Sequence, residues 1–562
     1  MDMPRSKQSS LSGHFIFLPK QRRMYDNIKI NDGCPQNELN FDSYYGIPII
    51  TPRASISFQV RNMTETYIRS KNPPKQYDNP ETINSLIKDV FSFLDEQINV
   101  LTQRLSSKEL IFILLCEYSK SSSIQEIFAQ DNSTKESDRW KERNTFRRSV
   151  KYLAEKMLEY FDDSRIVRSS NFAIEIELMI ELTEIAFDFS IQSASIHGIG
   201  RGNACFELYE PQPTPFNHYY DFHITGFNYE IFEKAHYLYR NFIENNRPLY
   251  DNIIADYESS TAKIIDDKNC AYFNYFIKIF DILRKIGTQS NYVYIPKNTL
   301  KIQIIKNNIP ADCVDLFFDT FSINKDGLRK QPRKIYATKQ SYRLKIRFMV
   351  EIEESETQYL FYTEEMRREG YILFQKSLCY NDPPIELQSE KLKKECAKIS
   401  WSYGKKFEQY ANKFLTTKGF YGKNCKRRIP SNILIPNVVG EIDFLGYSLD
   451  YKRIACFEFK NTFYSTDPLE YRDELDKYIF KKDSYLNKFK KKVEFIRANI
   501  KSLVDYYRQH GSIDLSDSQL IVGILTYAPN ISRFFMSEYK CMSLAEFEYE
   551  WEHKPEQFTI TA

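Results

Sequence analysis

Glu458 and Lys460 stand two residues apart in Phe457-Glu458-Phe459-Lys460-Asn461, and the preceding Ile454, Ala455 and Cys456 make the segment read as a buried strand. Alternate side chains of a strand share a face, so the acid and the lysine emerge together while Phe457 and Phe459 pack on the other side. Ionised groups on a buried strand are costly unless an opposite charge or a metal compensates them. Upstream, Gly440-Glu441-Ile442-Asp443-Phe444 opens a second apolar strand reaching Leu449, and the polar Asp450-Tyr451-Lys452-Arg453 reads as the turn joining the two. Such a hairpin brings Asp443 beside Glu458. Two carboxylates meeting there repel one another unless a divalent cation lies between them, and oxygen donors without His or Cys suit Mg²⁺ or Mn²⁺ better than zinc. The chemistry open to this cluster is metal-assisted hydrolysis, with a lysine beside the attacking water.

Two helices must frame such a hairpin. Tyr403 to Lys418 reads as the first, with Phe407, Tyr410, Ala411 and Phe414 on one stripe and Glu408 at its rim. From there Glu408 could reach the same metal centre, although a snorkelling surface glutamate has the same spacing. The second, Leu469 to Tyr507, carries Leu475, Tyr478, Leu486, Phe489, Val493, Ile496, Ile500 and Leu503 at three-and-four spacing. Off that stripe Lys481, Lys482, Lys488, Lys490, Lys491, Lys492 and Arg497 form a positive surface able to track a phosphate backbone. A solvated helix face accounts for the same lysines equally well.

These residues resemble the PD-(D/E)xK nuclease superfamily, and within it the Mrr-like restriction endonuclease domains. The shared pattern is Gly404, Phe407 and Glu408 on a first helix, Gly419-Phe420 at its end, Gly440 and Asp443 on one strand, and Glu458-Phe459-Lys460 on the next. The chain departs from it by one extra residue between Gly440 and Asp443 and by lacking a Pro before the acid, which leaves Glu441 as a competitor; Asp443 is preferred. The resemblance covers about residues 396 to 550 and implies an αβββαβ core with a first strand near Lys426 to Ile435 and a closing strand near Gln519 to Tyr527. It also implies phosphodiester hydrolysis. Asp443, Glu458 and the Phe459 carbonyl would hold Mg²⁺ or Mn²⁺, Lys460 would position or deprotonate the water, and Glu408 would assist at a metal. The implied substrate is nucleic acid, most simply DNA cut by a bacterial restriction or antiphage effector. Transposon-end, junction or RNA cleavage, and a non-catalytic protein on the same fold, stay open.

The remaining chain bounds this reading. At 562 residues, 42% apolar, the sequence expects several packed domains, and a net charge of +3 confines any nucleic-acid surface to local patches. Ten scattered cysteines without metal-ligand spacing argue against a zinc site and a disulfide framework, and fit a reducing cytoplasm. No apolar run approaches a bilayer-spanning length, so a membrane partner is not expected. The fold class expected is mixed α and β, multidomain: an irregular arm over 1–80, a helical subdomain over 81–163, a mixed region over 164–395 and the nuclease-like domain over 396–562. Within these, Ala54 to Arg61, Ala173 to Leu178 and Tyr342 to Phe348 read as strands, and a break is expected near Ser121 to Ser137. Residues 1–395 could bind partner proteins or a second copy. The Gly-rich His197 to Gly202 reads as a turn, and His218, Asp221 and His223 as ordinary polar residues.

Overall fold

The structure is a computed structural model that describes residues 38–561 except 131–134, 144, 163–170, 197–203, 211–218, 225–270, 288–291, 332–341, 345, 380–382, 388–389, 463–467 and 512. It is a mixed α and β chain carrying several separate sheets. Among the described residues no helix is long and apolar enough to cross a membrane.

Before residue 390 the chain builds helices around small sheets. A hairpin of Phe41–Tyr44 and Ile47–Ile50 leads into helices Ala54–Lys71, Pro80–Leu105, Lys108–Gln130, Phe146–Tyr160 and Phe172–Ser195. Strands Lys75–Tyr77, Ala204–Leu208 and Tyr220–Ile224 form a three-stranded antiparallel sheet, and Val293–Pro296, Thr357–Tyr362, Met349–Glu354 and Ser322–Ile323 form a four-stranded one. Their apolar faces share one core that also takes in Leu475 and Ile531 from the C-terminal region.

Several sequence expectations are corrected here. Ala54 to Arg61 lies in a helix, and the described residues of 342–348 form no strand, the adjoining strand starting at Met349; the helix from Lys108 runs past Ser121 to Gln130 and the next starts at Lys135, so the expected break near Ser121 to Ser137 falls in the later part of that range. Ala173 to Leu178 belongs to the helix Phe172–Ser195. Its Glu177, Glu181, Glu184 and Asp188 recur at helical spacing and are all buried, so the apolar and acidic residues that mimic strand alternation are packed around a central helix. Arg53 meets Glu177 at 2.8 Å and Arg143 meets Glu184 at 3.2 Å, which gives two of these four buried carboxylates a counter-charge.

The C-terminal region runs α1 (Glu390–Thr417), β1 (Phe420–Cys425), β2 (Ile442–Ser448), β3 (Arg453–Lys460), α2 (Pro468–Leu475), α3 (Tyr485–Ala498), α4 (Ile500–Gly511), β4 (Ser516–Thr526), β5 (Cys541–Ser543), α5 (Leu544–His553) and β6 (Thr559–Thr561). The sheet order is β1-β2-β3-β4-β5, with β6 on β4. The first three strands are antiparallel, and α2 to α4 carry the chain over so that β4 lies parallel to β3. Gly419 ends α1 at φ 78°, a left-handed position that glycine takes without a steric penalty.

Strand parity sorts the two faces. Phe444, Ala455, Phe457 and Phe459 meet Phe407, Phe414, Phe547 and Trp551 of α1 and α5. Leu445, Ile454, Cys456 and Val522 meet Phe489, Val493, Ile496 and Leu503 of α3 and α4 on the other. Two boundaries differ from the sequence reading. The first strand is Phe420–Cys425, and 426–441 is a connection; the expected single helix over Leu469 to Tyr507 is interrupted by a π-turn at Asp476–Phe480 and a break before Ser484. Ser484 then caps α3 by accepting the Asn487 N–H at 3.3 Å.

Candidate active site

The site lies where β2 begins and β3 ends. The last residues that β2 and β3 pair are Phe444 and Phe457, and Asp443 and Glu458 are the next residues outward on the two strands. One step beyond a paired position the strands are still neighbours, so the hairpin brings the two carboxylates to the same end of the sheet. Both side chains lie on the face that carries Leu445 and Cys456, toward α3, and both are buried. Lys452, at φ 49°, turns the hairpin that sets this register.

Lys460 closes the cluster. Its Nζ lies 2.7 Å from Glu458 Oε1 and 3.5 Å from Asp443 Oδ2, and donates to the Phe459 carbonyl at 2.9 Å. Asp443 Oδ2 also accepts the Phe459 backbone N–H at 2.9 Å. Burial works against the Lys460 ammonium, but Glu458 and then Asp443 outweigh it and hold the amine above its ordinary value. The ammonium rests 4.9 Å from the centre of the Tyr485 ring, at the first residue of α3.

A residue misplaced by the sequence reading completes the picture. Lys492, expected among the exposed phosphate-tracking lysines, is buried, and its Nζ donates to Glu458 Oε2 at 2.5 Å. Glu458 is thus held between two ammonium groups, one from its own strand and one from α3. The signal was present in the spacing: Lys492 follows Phe489 by three and precedes Ile496 by four, inside the apolar stripe. Of the other lysines on this surface, Lys481, Lys482, Lys488 and Lys491 are exposed, while the half-buried Lys490 pairs with Glu538 at 3.1 Å. Lys481 and Lys482 lie in the break before α3, not on a helix.

Glu408 occupies a different position from the strand acids. It belongs to α1, on the opposite face of the sheet, and pairs with Lys405 at 2.7 Å. Lys405 also lies 3.6 Å from Glu441 Oε1, a buried oxygen that receives no hydrogen bond. Burial, and beyond it the Asp443 charge, pushes the Glu408 carboxyl above its ordinary value despite the Lys405 hydrogen bond. The structure therefore brings Asp443, Glu458 and Lys460 into contact, and places Glu408 within electrostatic reach but not in contact. Lys405 and Lys492 are the residues that sequence reasoning left out of the site.

The donors suit a hard divalent cation. Asp443 Oδ1 has no hydrogen-bond partner among the described residues, and Lys460 Nζ meets Asp443 Oδ2, Glu458 Oε1 and the Phe459 carbonyl, which gathers these oxygens around one point. No three His, Cys, Asp or Glu side chains among the described residues converge as a ready-made cage, so a cation here would be held by two carboxylates with backbone and water oxygens. Elsewhere, Asp221 accepts the Tyr209 hydroxyl at 2.5 Å and His223 pairs with Cys205 across the three-stranded sheet, as ordinary polar residues do. His197 to Gly202 and His218 fall outside the described residues. Comparison with protein-family models, with curated proteins and with solved structures finds no match for this chain.

Proposed function

We propose that this chain is a metal-dependent nuclease of PD-(D/E)xK type that hydrolyses phosphodiester bonds, with DNA as substrate and restriction or antiphage defence as its role. The observation that carries the reading is that Lys460 meets both Asp443 and Glu458, acids of the two strands of one hairpin. The element order around it, one helix, three antiparallel strands, a helical crossover and a parallel strand, agrees with the core that the resemblance implies.

Mg²⁺ or Mn²⁺, when bound by Asp443, Glu458 and the Phe459 carbonyl, would supply charge stabilisation at a non-bridging phosphate oxygen. The residues themselves do the rest. Asp443 is fixed by the Phe459 N–H and keeps its second oxygen for a ligand. Lys460, an ammonium at neutral pH in this arrangement, orients the attacking water and faces the charge that grows on phosphorus. Lys492 fixes Glu458, and the aromatic packing of Phe444, Phe457 and Phe459 behind the strands fixes the hairpin. Glu408 acts through water or not at all, since Lys405 holds it.

A second reading rests on the same cluster. Glu458 is already balanced by two lysines, so the group could be a buried ion-pair knot in a non-catalytic recognition or assembly protein. Incubation of the purified full chain with plasmid DNA, single-stranded DNA and RNA, each with Mg²⁺, Mn²⁺ or EDTA, separates the two. Cleavage that requires the divalent ion is expected; a chain inert on all three polymers favours the ion-pair knot.

A further inference from the structure

The connection 426–441 rises from the end of the sheet that bears the candidate site. Its two feet are paired neighbours, Cys425 with Ile442, and Asp443 is the next residue. Within it, Ile429 N–H donates to the Ile433 carbonyl at 3.0 Å and Ile435 N–H to the Arg427 carbonyl at 2.9 Å, with Asn432 at φ 64° making the tight end. Arg428 reaches the Asn432 carbonyl at 2.8 Å. Ile429, Ile435 and Val439 are buried in the same core as the β2 and β3 side chains facing α3. The segment is therefore a built arm, anchored by its apolar residues and held in one shape.

What the arm displays is unusual. Lys426, Arg427 and Arg428 are consecutive and exposed, and none of the three has a carboxylate partner among the described residues. Leu434, paired with Arg428, is 61% exposed and Val438 is 68% exposed, on a segment whose Ile429, Ile435 and Val439 are buried. An ordered arm that leaves two aliphatic side chains in water next to three unpaired cations suits a partner that is anionic outside and apolar within. A nucleic-acid duplex has both, phosphates along its backbone and stacked base steps into which aliphatic side chains wedge. Single strands are gripped by aromatic stacking, and the arm offers none.

We propose that this arm is the duplex-gripping element of the protein: Lys426, Arg427 and Arg428 contact backbone phosphates, Leu434 and Val438 enter the groove, and the strand is thereby set over Asp443. The location relative to the scissile bond rests on the nuclease reading; the binding does not. The test is fluorescence anisotropy of a labelled DNA duplex of about 20 base pairs with the full chain in EDTA or Ca²⁺, across a salt series. Reversing all three charges (Lys426→Glu, Arg427→Glu, Arg428→Glu) should weaken binding at least about tenfold and flatten the salt dependence by about 2 to 3 log units per decade, near 0.9 for each lost phosphate contact. Because Arg428 also braces the arm, Lys426→Ala with Arg427→Ala serves as the milder variant, with a slope change of about 2. Leu434→Ser with Val438→Ser should reduce the preference for duplex over single strand while leaving the slope unchanged.

Wild-type affinity and slope in both charge variants would overturn the proposal, as would a wild-type chain that does not bind duplex. Duplex binding that depends on the arm, in a chain that cuts nothing, would keep this inference and remove the nuclease reading. Cleavage unaffected by the arm would do the reverse.

Discussion

At the scale of single residues, the decisive group is Glu458. An acid on a strand buried on both faces is tolerated because two lysines meet its two oxygens, Lys460 at 2.7 Å and Lys492 at 2.5 Å. Removing one partner of a buried pair leaves an uncompensated charge, so Lys492→Met should lower stability by roughly 3 kcal/mol, the low end for a buried pair because Lys460 remains. Lys491→Met, one residue away but exposed, should change it by less than about 0.5 kcal/mol. Urea unfolding of the two variants compares them directly, and equal values would mean that Lys492 is not the partner described. The strand acids and Lys460 were legible from parity alone, since a period of two admits one arrangement of Glu458 and Lys460. Lys492 was not, because lysine on a helix is ordinarily a surface residue, and its burial depends on an acid 34 positions earlier.

At the scale of elements, the hairpin that carries the site depends on how closely β1 approaches β2. Gly422 faces Gly446 across that pair, and a Cβ on Gly446 would stand 2.1 Å from the Tyr421 carbonyl oxygen. Gly446→Ala must therefore shift β1 against β2, with an expected loss of roughly 1 to 3 kcal/mol; a melting temperature equal to wild type would contradict the packing. An element with a clear apolar face, such as the helix Pro80–Leu105, could be read from spacing. The helix Phe172–Ser195 could not. It is packed on most sides, and two of its buried acids, Glu177 and Glu184, are answered by Arg53 and Arg143, far away in sequence, so no window of the sequence contains both halves of the pattern. The long helix expected over Leu469 to Tyr507 failed for the opposite reason: its apolar stripe continues in register through a break that Ser484 caps.

At the scale of the whole molecule, distant segments are tied by charged knots. Tyr118 donates to the Glu369 carboxylate, Arg147 meets the same carboxylate at 2.6 Å, and Lys151 lies one helical turn further along. Burial, and then the Arg343 charge, lowers the Lys151 amine to about 7. The folded chain thus sheds that proton at about pH 7, whereas the unfolded lysine keeps it to its ordinary 10.5. Stability should rise with pH across that window, because there the unfolded state binds more protons. Lys151→Met should accordingly raise the melting temperature most near pH 6 and least near pH 10, and a gain independent of pH would contradict this account. The claim on which the functional reading stands concerns the other end of the chain. It is tested most directly by the rate at which the full-length protein cuts plasmid DNA in Mg²⁺, wild type against Asp443→Asn, with matched melting curves. The account predicts cleavage by the wild type that EDTA stops and that the substitution lowers at least about 100-fold without unfolding the chain; equal rates in the two proteins, or no divalent-dependent cleavage in either, would contradict it.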